Sequence, residues 1–327
     1  METLRALDRI KVLADARRLA VLRLLMASPA TLSQLARSLR HSPAWIQHHL
    51  RLLESASLVE LVEVRKSGRV TEKYYQATRG AFYIQAVILP KSTRPTVVFS
   101  GSHDLAVQAM ARRLAKRMRI VSLYVGSLDG LLNLRQGLCQ LAGAHLRDES
   151  GEYNSSYVRR FFPDRRVELV TLAHRTQGFM VSAGNPKSIR AIDDLARPGV
   201  RFVNRNSGSG TRLWLEQELG RAGLERPSIR GYRREVATHT EAAVLIAAGR
   251  ADVALGLQAA AYGHGLDFVP LFEERYDVAF GPQDEKSLDP VLNYIQTADF
   301  RTSLASLTGY GTAHSGEHIQ LEKEHTR

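Results

Sequence analysis

Cysteine is nearly absent: Cys139 stands alone in 327 residues. One thiol cannot build a disulfide framework, and without a second there is no thiolate pair for zinc or an iron–sulfur cluster. Long apolar runs are missing as well. No stretch approaches the ~18 apolar residues of a membrane span. Asp8, Lys11, Asp15, Arg17 and Arg18 interrupt residues 1–25, which leaves no apolar core for a secretory signal. Lysine is scarce, 8 against 37 arginines. What is present is a globular composition, 44% apolar and 24% charged, which excludes intrinsic disorder. The length predicts two or three domains. These features predict a cytoplasmic protein with no membrane partner, no covalent cofactor and no metal site.

The formal charge of +12 is unevenly placed. Residues 1–90 carry 14 basic and 7 acidic side chains, a net +7, and residues 91–327 carry 31 and 26, a net +5. Positive charge concentrated in a small N-terminal unit points to a polyanionic partner, most often nucleic acid.

Helical patterns fill the first part of that unit. Leu4, Leu7, Ile10 and Leu13 recur every third residue, and Asp15 precedes an apolar run from Leu19 to Met26. Thr31 opens a short helix, and Ser42-Pro43 supplies an N-cap hydroxyl with proline at the first helical position. The last helix groups Ile46, Leu50 and Leu53 on one face and Ala44, Gln47, His48 and Arg51 on the other. Short helix, turn and longer helix with a polar outer face make a helix-turn-helix. Two strand-like runs follow, Leu58–Val64 and Val70–Tyr75, joined by the basic turn Arg65-Lys66-Ser67-Gly68-Arg69. The whole is a winged helix over residues 1–89. Ser42, Gln47, His48 and Arg51 are predicted to enter a major groove of double-stranded DNA, with Arg65, Lys66 and Arg69 on phosphates. A protein-contact winged helix has the same pattern. His48 and His49 point ~100° apart on a helix and do not converge on a metal.

Asp15-Ala16-Arg17-Arg18-Leu19-Ala20-Val21-Leu22-Arg23-Leu24-Leu25, Leu35-Ala36 and the run from His48 to Val59 resemble the ArsR-type winged helix of bacterial repressors. Arg40-His41 replaces the usual turn glycine, and the thiolate site of metal-sensing members is missing. The resemblance therefore implies that any signal is sensed elsewhere in the chain.

Residues 90–95, Pro-Lys-Ser-Thr-Arg-Pro, read as a linker. Strands and helices then alternate over 96–310, predicting an α/β architecture with mostly parallel sheets and room for two lobes. Expected strands include Val97–Phe99, Ile120–Val125, Leu141–Leu146, Val167–Leu172, Gly178–Val181, Val200–Val203, Val253–Gly256 and Phe268–Leu271; expected helices include Ser188–Leu195 and Thr211–Arg221. Residues 311–327 read as a polar, frayed tail holding His314, His318 and His325. Four turns rich in glycine and hydroxyls lead from strands into helices, one of them Ser207-Gly208-Ser209-Gly210-Thr211. Helix N-termini with unpaired N–H groups attract anions, and open α/β sheets bind ligands at this edge. Ordinary helix capping gives each turn the same residues.

Gly101-Ser102-His103-Asp104, Ala144-His145-Leu146, Gly151-Glu152-Tyr153-Asn154, Gly184-Asn185-Pro186, Asn204 with Gly208-Ser209-Gly210-Thr211-Arg212, and Gly265-Leu266-Asp267-Phe268 stand in sequence order. Together they resemble the periplasmic-binding-protein-like domain of molybdate-linked regulators and molybdopterin-biosynthesis fusions. The resemblance implies a two-lobed, type II α/β domain closing on molybdate, tungstate or a pterin-type ligand. The candidate ligand-binding residues are Ser100, Ser102, Ser127, Ser209 and Thr211, then Thr238, His239 and Tyr276. Arg205 and Arg212 are expected to pair with glutamates or lie in solvent, Glu273, Glu274 and Asp277 to form a solvated acidic loop, and Cys139 to be a core thiol.

The joint expectation is a transcriptional regulator, not an enzyme, working as a homodimer on a palindromic operator. Leu4, Leu7 and Ile10 would form its seam. The rival is a molybdenum-cofactor biosynthesis or carrier protein using the winged helix for protein contacts, with Asp104 beside His103 as its best catalytic pair.

Overall fold

Capping chemistry places the N-terminal helices where the sequence puts them. The computed structural model describes residues 2–4, 6–67, 70–84, 88–89, 91–319 and 321, and the chain divides into compact units Met1–Pro90 and Lys91–Arg327. The first unit runs β1 (Glu2–Leu4), α1 (Leu7–Leu13), α2 (Ala16–Ala27), β2 (Ala30–Thr31), α3 (Leu32–Leu39), α4 (Pro43–Ser55), β3 (Val59–Ser67), β4 (Val70–Ala77) and β5 (Phe82–Ile84). Asp15 caps α2 by accepting from the Arg17 backbone N–H. Thr31 and Gln34 form a reciprocal capping box on α3, and Ser42 caps α4 with Pro43 at its first position. Arg40 ends α3 at φ 55°, the left-handed conformation in which glycine is commonest. Val21, Leu22, Leu25, Leu35, Ile46, Leu50, Leu53 and Leu58 close the core, and β2-β4-β3 forms the wing sheet.

One expected helical stretch is split. Leu4 lies on β1, paired in parallel with Ile84, and is fully buried. A spacing of three fits a helix, but a partner strand about eighty residues away wins residues 2–4. Leu4 is therefore core rather than dimer seam, whereas Leu7 stays 70% exposed.

The second unit runs β6 (Thr96–Gly101), α5 (Leu105–Leu114), β7 (Arg119–Tyr124), α6 (Ser127–Gln136), β8 (Leu141–Ala144), α7 (Ser155–Phe161), β9 (Glu168–Val181), β10 (Phe202–Arg205), α8 (Gly210–Arg221), β11 (Glu235–Val236), α9 (His239–Ala247), β12 (Val253–Leu257), α10 (Gln258–Tyr262), β13 (Asp267–Phe280), α11 (Glu285–Ile295), α12 (Ala298–Ala305), β14 (Tyr310–Gly311) and β15 (His318–Ile319). The sheet order is β11-β10-β12-β9-β13-β8-β6-β7. β6, β7 and β8 belong to one lobe, and β10, β11 and β12 to the other. β9 and β13 run the length of both, antiparallel over fourteen residues each.

The sheet is thus mixed rather than mostly parallel, because these two strands oppose each other and their neighbours β8 and β12. β9 joins two expected strands, Val167–Leu172 and Gly178–Val181, and β13 extends the expected Phe268–Leu271; polar residues 174–177 and 273–275 interrupt the apolar pattern in each. Ser188–Leu195 is not a helix, and a 3₁₀ turn covers Ile192–Ala196. Asn185 and Asp194 capture the backbone N–H groups of Ile189, Arg190 and Ala191 that a helix would use. Residues of the expected frayed tail lie on the sheet: β14 and β15 pair with β9, and buried Ser315 donates to the Leu172 carbonyl. His325 and the linker's Pro90 fall outside the described residues.

Candidate functional site

The expected DNA face is assembled on α4. Ala44, Gln47, His48 and Arg51 are exposed while Ile46, Leu50 and Leu53 are buried. His49 is buried and its ring packs edge-on to Trp45. Ser42 spends a lone pair on the Trp45 backbone N–H. On the wing, Arg65 is held by Glu63 at 2.7 and 3.0 Å and lies over the Tyr74 ring. That pair is exposed and of little energetic worth, so a phosphate can compete for the guanidinium. Lys66 is exposed on β3. Arg69 lies outside the described residues.

In the second unit the strand–helix turns of both lobes meet over the crossing of β9 and β13. Arg175 and Glu274 face each other there as a cross-strand pair. Arg175 Nη1 donates to Asp104 Oδ2 at 2.8 Å, and Nη2 donates to Glu274 Oε1. Gln177 Nε2 also donates to Glu274 Oε1, at 2.6 Å. Tyr310, from the C-terminal segment, donates to Asp104 Oδ2 at 2.6 Å. His145 Nδ1 sits 2.6 Å from Glu274 Oε2, and Nε2 sits 2.8 Å from Ser102 Oγ. All these side chains except Tyr310 are at least 98% buried.

Electrostatics follow from that burial. Burial opposes ionisation of Glu274, but Arg175 and His145 outweigh it and draw its carboxyl down to about 2. Burial depresses the three imidazoles, and the nearby cations add to it. His103 falls to about 3 with help from Arg205, His239 falls well below the usual range, and His145 falls although Glu274 resists. Arg205 is drawn down to about 9 by burial and by Arg175, so it is still a cation at neutral pH. Among the described residues it makes no ion pair: Nη1 meets His239 Nε2 at 2.7 Å and Nη2 donates to the Ala237 carbonyl, while Glu274 and Glu241 act on it only at longer range.

Among the described residues, the buried unpartnered side-chain atoms of the second unit have both polarities: Asn206 Oδ1 and Asp277 Oδ1 are oxygens, and the other four are nitrogens of the cluster. Arg175 Nε, Arg205 Nε, His103 Nδ1 and His239 Nδ1 are buried without partners. Arg205 donates to His239 Nε2, which puts the proton of that neutral ring on Nδ1. The Gln108 amide nitrogen, 2.9 Å from His103 Nε2, does the same for His103. All four orphans are therefore N–H donors. They belong to one cluster: the His103 and His239 rings lie 5.9 Å apart across the lobes. Buried orphaned donors without acceptors are the complement of an anion.

Not every expected ligand residue joins this cluster. Ser102, Thr211, His239 and Tyr276 do, with Thr211 donating to Gln177 Oε1 and Tyr276 donating to the Ser102 carbonyl. Ser127 Oγ accepts from the His145 backbone N–H at 3.2 Å. Ser100 Oγ accepts from Asn133 on α6. Ser209 and Thr238 serve as helix caps, Thr238 in a full capping box with Glu241. Arg212 pairs with Glu216 and Glu235, as expected of it, although it is buried; Arg205 needs correction, being buried with no glutamate pair among the described residues. Glu274 and Asp277 are buried on β13 rather than in a loop, and Asp277 is held by Asn154 and Arg275. His145, Arg175, Gln177 and Tyr310 were missed; His145 had a signal in its place at the end of an apolar strand, the others none.

The lobes touch tightly. Asn206 Nδ2 donates to the Val125 carbonyl, and the Leu128 N–H to the Gly208 carbonyl. A Cβ on Gly210 would lie 2.2 Å from the His145 carbonyl oxygen and 2.6 Å from its Nδ1. Beside that contact lies a cavity of about 10 Å³, room for about one water, walled by His145, Tyr153, Trp214, Phe272 and Glu274. Gly210 is helical, so alanine suits its backbone and clashes only across the lobes. Gly210→Ala is expected to hold the lobes apart, raising the radius of gyration in small-angle X-ray scattering; an unchanged radius would show that this contact does not set closure.

A two-lobed binding module behind a winged helix is what fold and cleft define. Residues 108–296, more than half of the chain, match the family described as "PBP superfamily domain", and the chain belongs to that family. Residues 15–60 match "Bacterial regulatory protein, arsR family", so the helix-turn-helix is of the ArsR family. The chain is 35% identical over 229 residues to "Uncharacterized protein YvgK" of Bacillus subtilis (strain 168), covering 69% of this chain and 74% of that one. It is 29% identical over 108 residues to "Uncharacterized protein in ferredoxin 2Fe-2S gene 5'region" of Clostridium pasteurianum, covering 32% and 96%. Among solved structures it is similar to the tungstate ABC transporter from Geobacter sulfurreducens (14% identity, TM-score 0.46, covering 64% and 98%). It is also similar to an ABC-type phosphate transport receptor from Vibrio cholerae (15%, 0.44, 66% and 99%). No helix among the described residues is long and apolar enough to cross a membrane.

Proposed function

We propose that the chain is a one-component sensor: the winged helix binds double-stranded DNA, and a small oxyanion closing the two-lobed unit changes that binding. The observation that carries the ligand class is the buried cluster of four unpartnered N–H donors, two of them on arginines, with Arg205 bonded to His239 and the Ala237 carbonyl and making no ion pair among the described residues. The hydroxyls of Ser102 and Ser127 and the N-terminal turn of α8 add polar groups of the kind that hold tetrahedral anions. Two copies on a palindromic operator would place two α4 helices in successive major grooves. The matched models are described as a PBP superfamily domain and a bacterial regulatory protein, and the pair on which the rival biosynthetic reading rests is held in structural contacts. Asp104 caps α5 and is tied to Arg175 and Tyr310, and His103 is turned to Gln108.

The test is anisotropy with a duplex selected from random sequence, at fixed salt, with and without molybdate, tungstate, sulfate or phosphate. Arg51→Ala is expected to weaken binding by ~1–3 kcal/mol and relax sequence preference, and Lys66→Ala to weaken it across all sequences. At least one anion should shift wild-type affinity severalfold. DNA affinity indifferent to all four at saturation would remove the sensor reading.

A further inference from the structure

We infer that Ser102, His145 and Glu274 form a relay that couples anion binding to protonation: an anion carrying no proton of its own is bound with the uptake of one proton by His145. This rests on the oxyanion-sensor reading and names how that same site is regulated.

The argument follows hydrogen-bond polarity through three contacts. Glu274 is a carboxylate, an acceptor only, and its Oε2 lies 2.6 Å from His145 Nδ1. Nδ1 therefore carries a hydrogen. A neutral imidazole then presents a lone pair at Nε2, 2.8 Å from Ser102 Oγ, so the Ser102 hydroxyl donates into the ring. That leaves Ser102 Oγ with lone pairs alone to offer at the N-terminal turn of α5. A fully ionised oxyanion also offers lone pairs alone. The two repel, and in a buried site of low dielectric that repulsion is strong.

Protonating His145 reverses the chain. Nε2–H then donates to Ser102 Oγ, and the hydroxyl hydrogen is released to donate to the anion. The reaction balances as protein plus dianion plus one solvent proton, giving imidazolium protein with the dianion bound. Ser127 is not part of the switch. Its Oγ already accepts from the His145 backbone N–H, so its hydrogen is available in either state.

The surroundings set the free-state form. His145 is fully buried with its ring stacked on Tyr276 at 5.7 Å and the first turn of α8 at Gly210 against it. Arg175 on β9 and Arg205 on β10 oppose its protonation, Glu274 on β13 favours it, and burial tips the balance to neutral. His239 on α9 and His103 and Asp104 before α5 complete the cluster. A doubly charged anion arriving beside Ser102 adds the negative charge that the neutral state lacks.

The experiment is calorimetric titration of the full-length chain with sodium molybdate, tungstate and sulfate. Each is run from about pH 6.5 to about pH 9, above the ordinary imidazole range, in paired buffers of different ionisation enthalpy. The expected result is uptake near one proton per anion and a Kd that rises about tenfold per pH unit. His145→Gln, which has no titratable ring, should bind with a flat pH profile and uptake near zero; Ser102→Ala should flatten it too. Thermal midpoints confirm that each variant is folded. Wild-type binding with no uptake and no slope would overturn the relay and leave the sensor standing, as would an unchanged slope in both variants. No binding of any of the three anions would remove the relay, and, if phosphate is silent as well, the oxyanion reading with it.

Discussion

Replacing Arg175 by methionine is expected to destabilise the second unit by about 3–5 kcal/mol, because it strips the common cation from two buried carboxylates. Asp104 and Glu274 come from segments far apart in sequence and both lie on this guanidinium. Methionine restores much of the volume but none of the charge. For a unit of this size the loss corresponds to a fall of roughly 6–20 °C in thermal midpoint. Trp214, stacked on Phe272 at 3.9 Å, reports the transition in a Trp45→Phe background. Adding Asp104→Asn and Glu274→Gln to Arg175→Met should recover part of the loss, since the penalty is that of unpaired charge rather than of a missing contact. If Arg175→Met melts within a degree or two of the parent, the buried ion network does not hold the lobes' shared strands together.

Acid should weaken the same unit well above the range where carboxylates titrate. His103 is held at about 3 by burial and by Arg205. The unfolded chain therefore takes up a proton below the ordinary 6.5 that the folded chain refuses. Stability falls as pH drops from about 6.5 towards about 3, below which both states are protonated and the loss stops. At about pH 5 His103 alone accounts for about 2 kcal/mol. His145 and His239 act in the same direction. Glu274, drawn down from 4.5 to about 2, adds a further loss as pH falls through that lower window. Urea midpoints at neutral pH and at pH 5, in anion-free buffer, measure this. His103→Asn should flatten the curve in proportion, and a profile without slope above pH 5 would mean that the imidazoles are not buried as neutral groups.

Local sequence settles whatever depends on neighbours a few residues apart. Ser42-Pro43, the Thr31–Gln34 box and the Ile46, Leu50 and Leu53 stripe fix α3 and α4, because caps and helix faces are interactions of residues three or four apart. The hydroxyl turns at Ser102, Ser127 and Thr211 were legible for the same reason, as were two units of different texture. The tertiary structure decided the chemistry of the cleft floor. Arg175 and Glu274 are 99 residues apart, and His145 and Glu274 are 129 apart. Their charges read as loop, because a polar stretch in a strand is marked as core only by the partners that neutralise it. Arg205, beside a glycine-rich turn, looks like a solvated arginine until folding puts His239 and the Ala237 carbonyl against it. Leu4 and residues 310–319 follow the same rule: each joins a strand chosen by distant pairing, which no local pattern encodes.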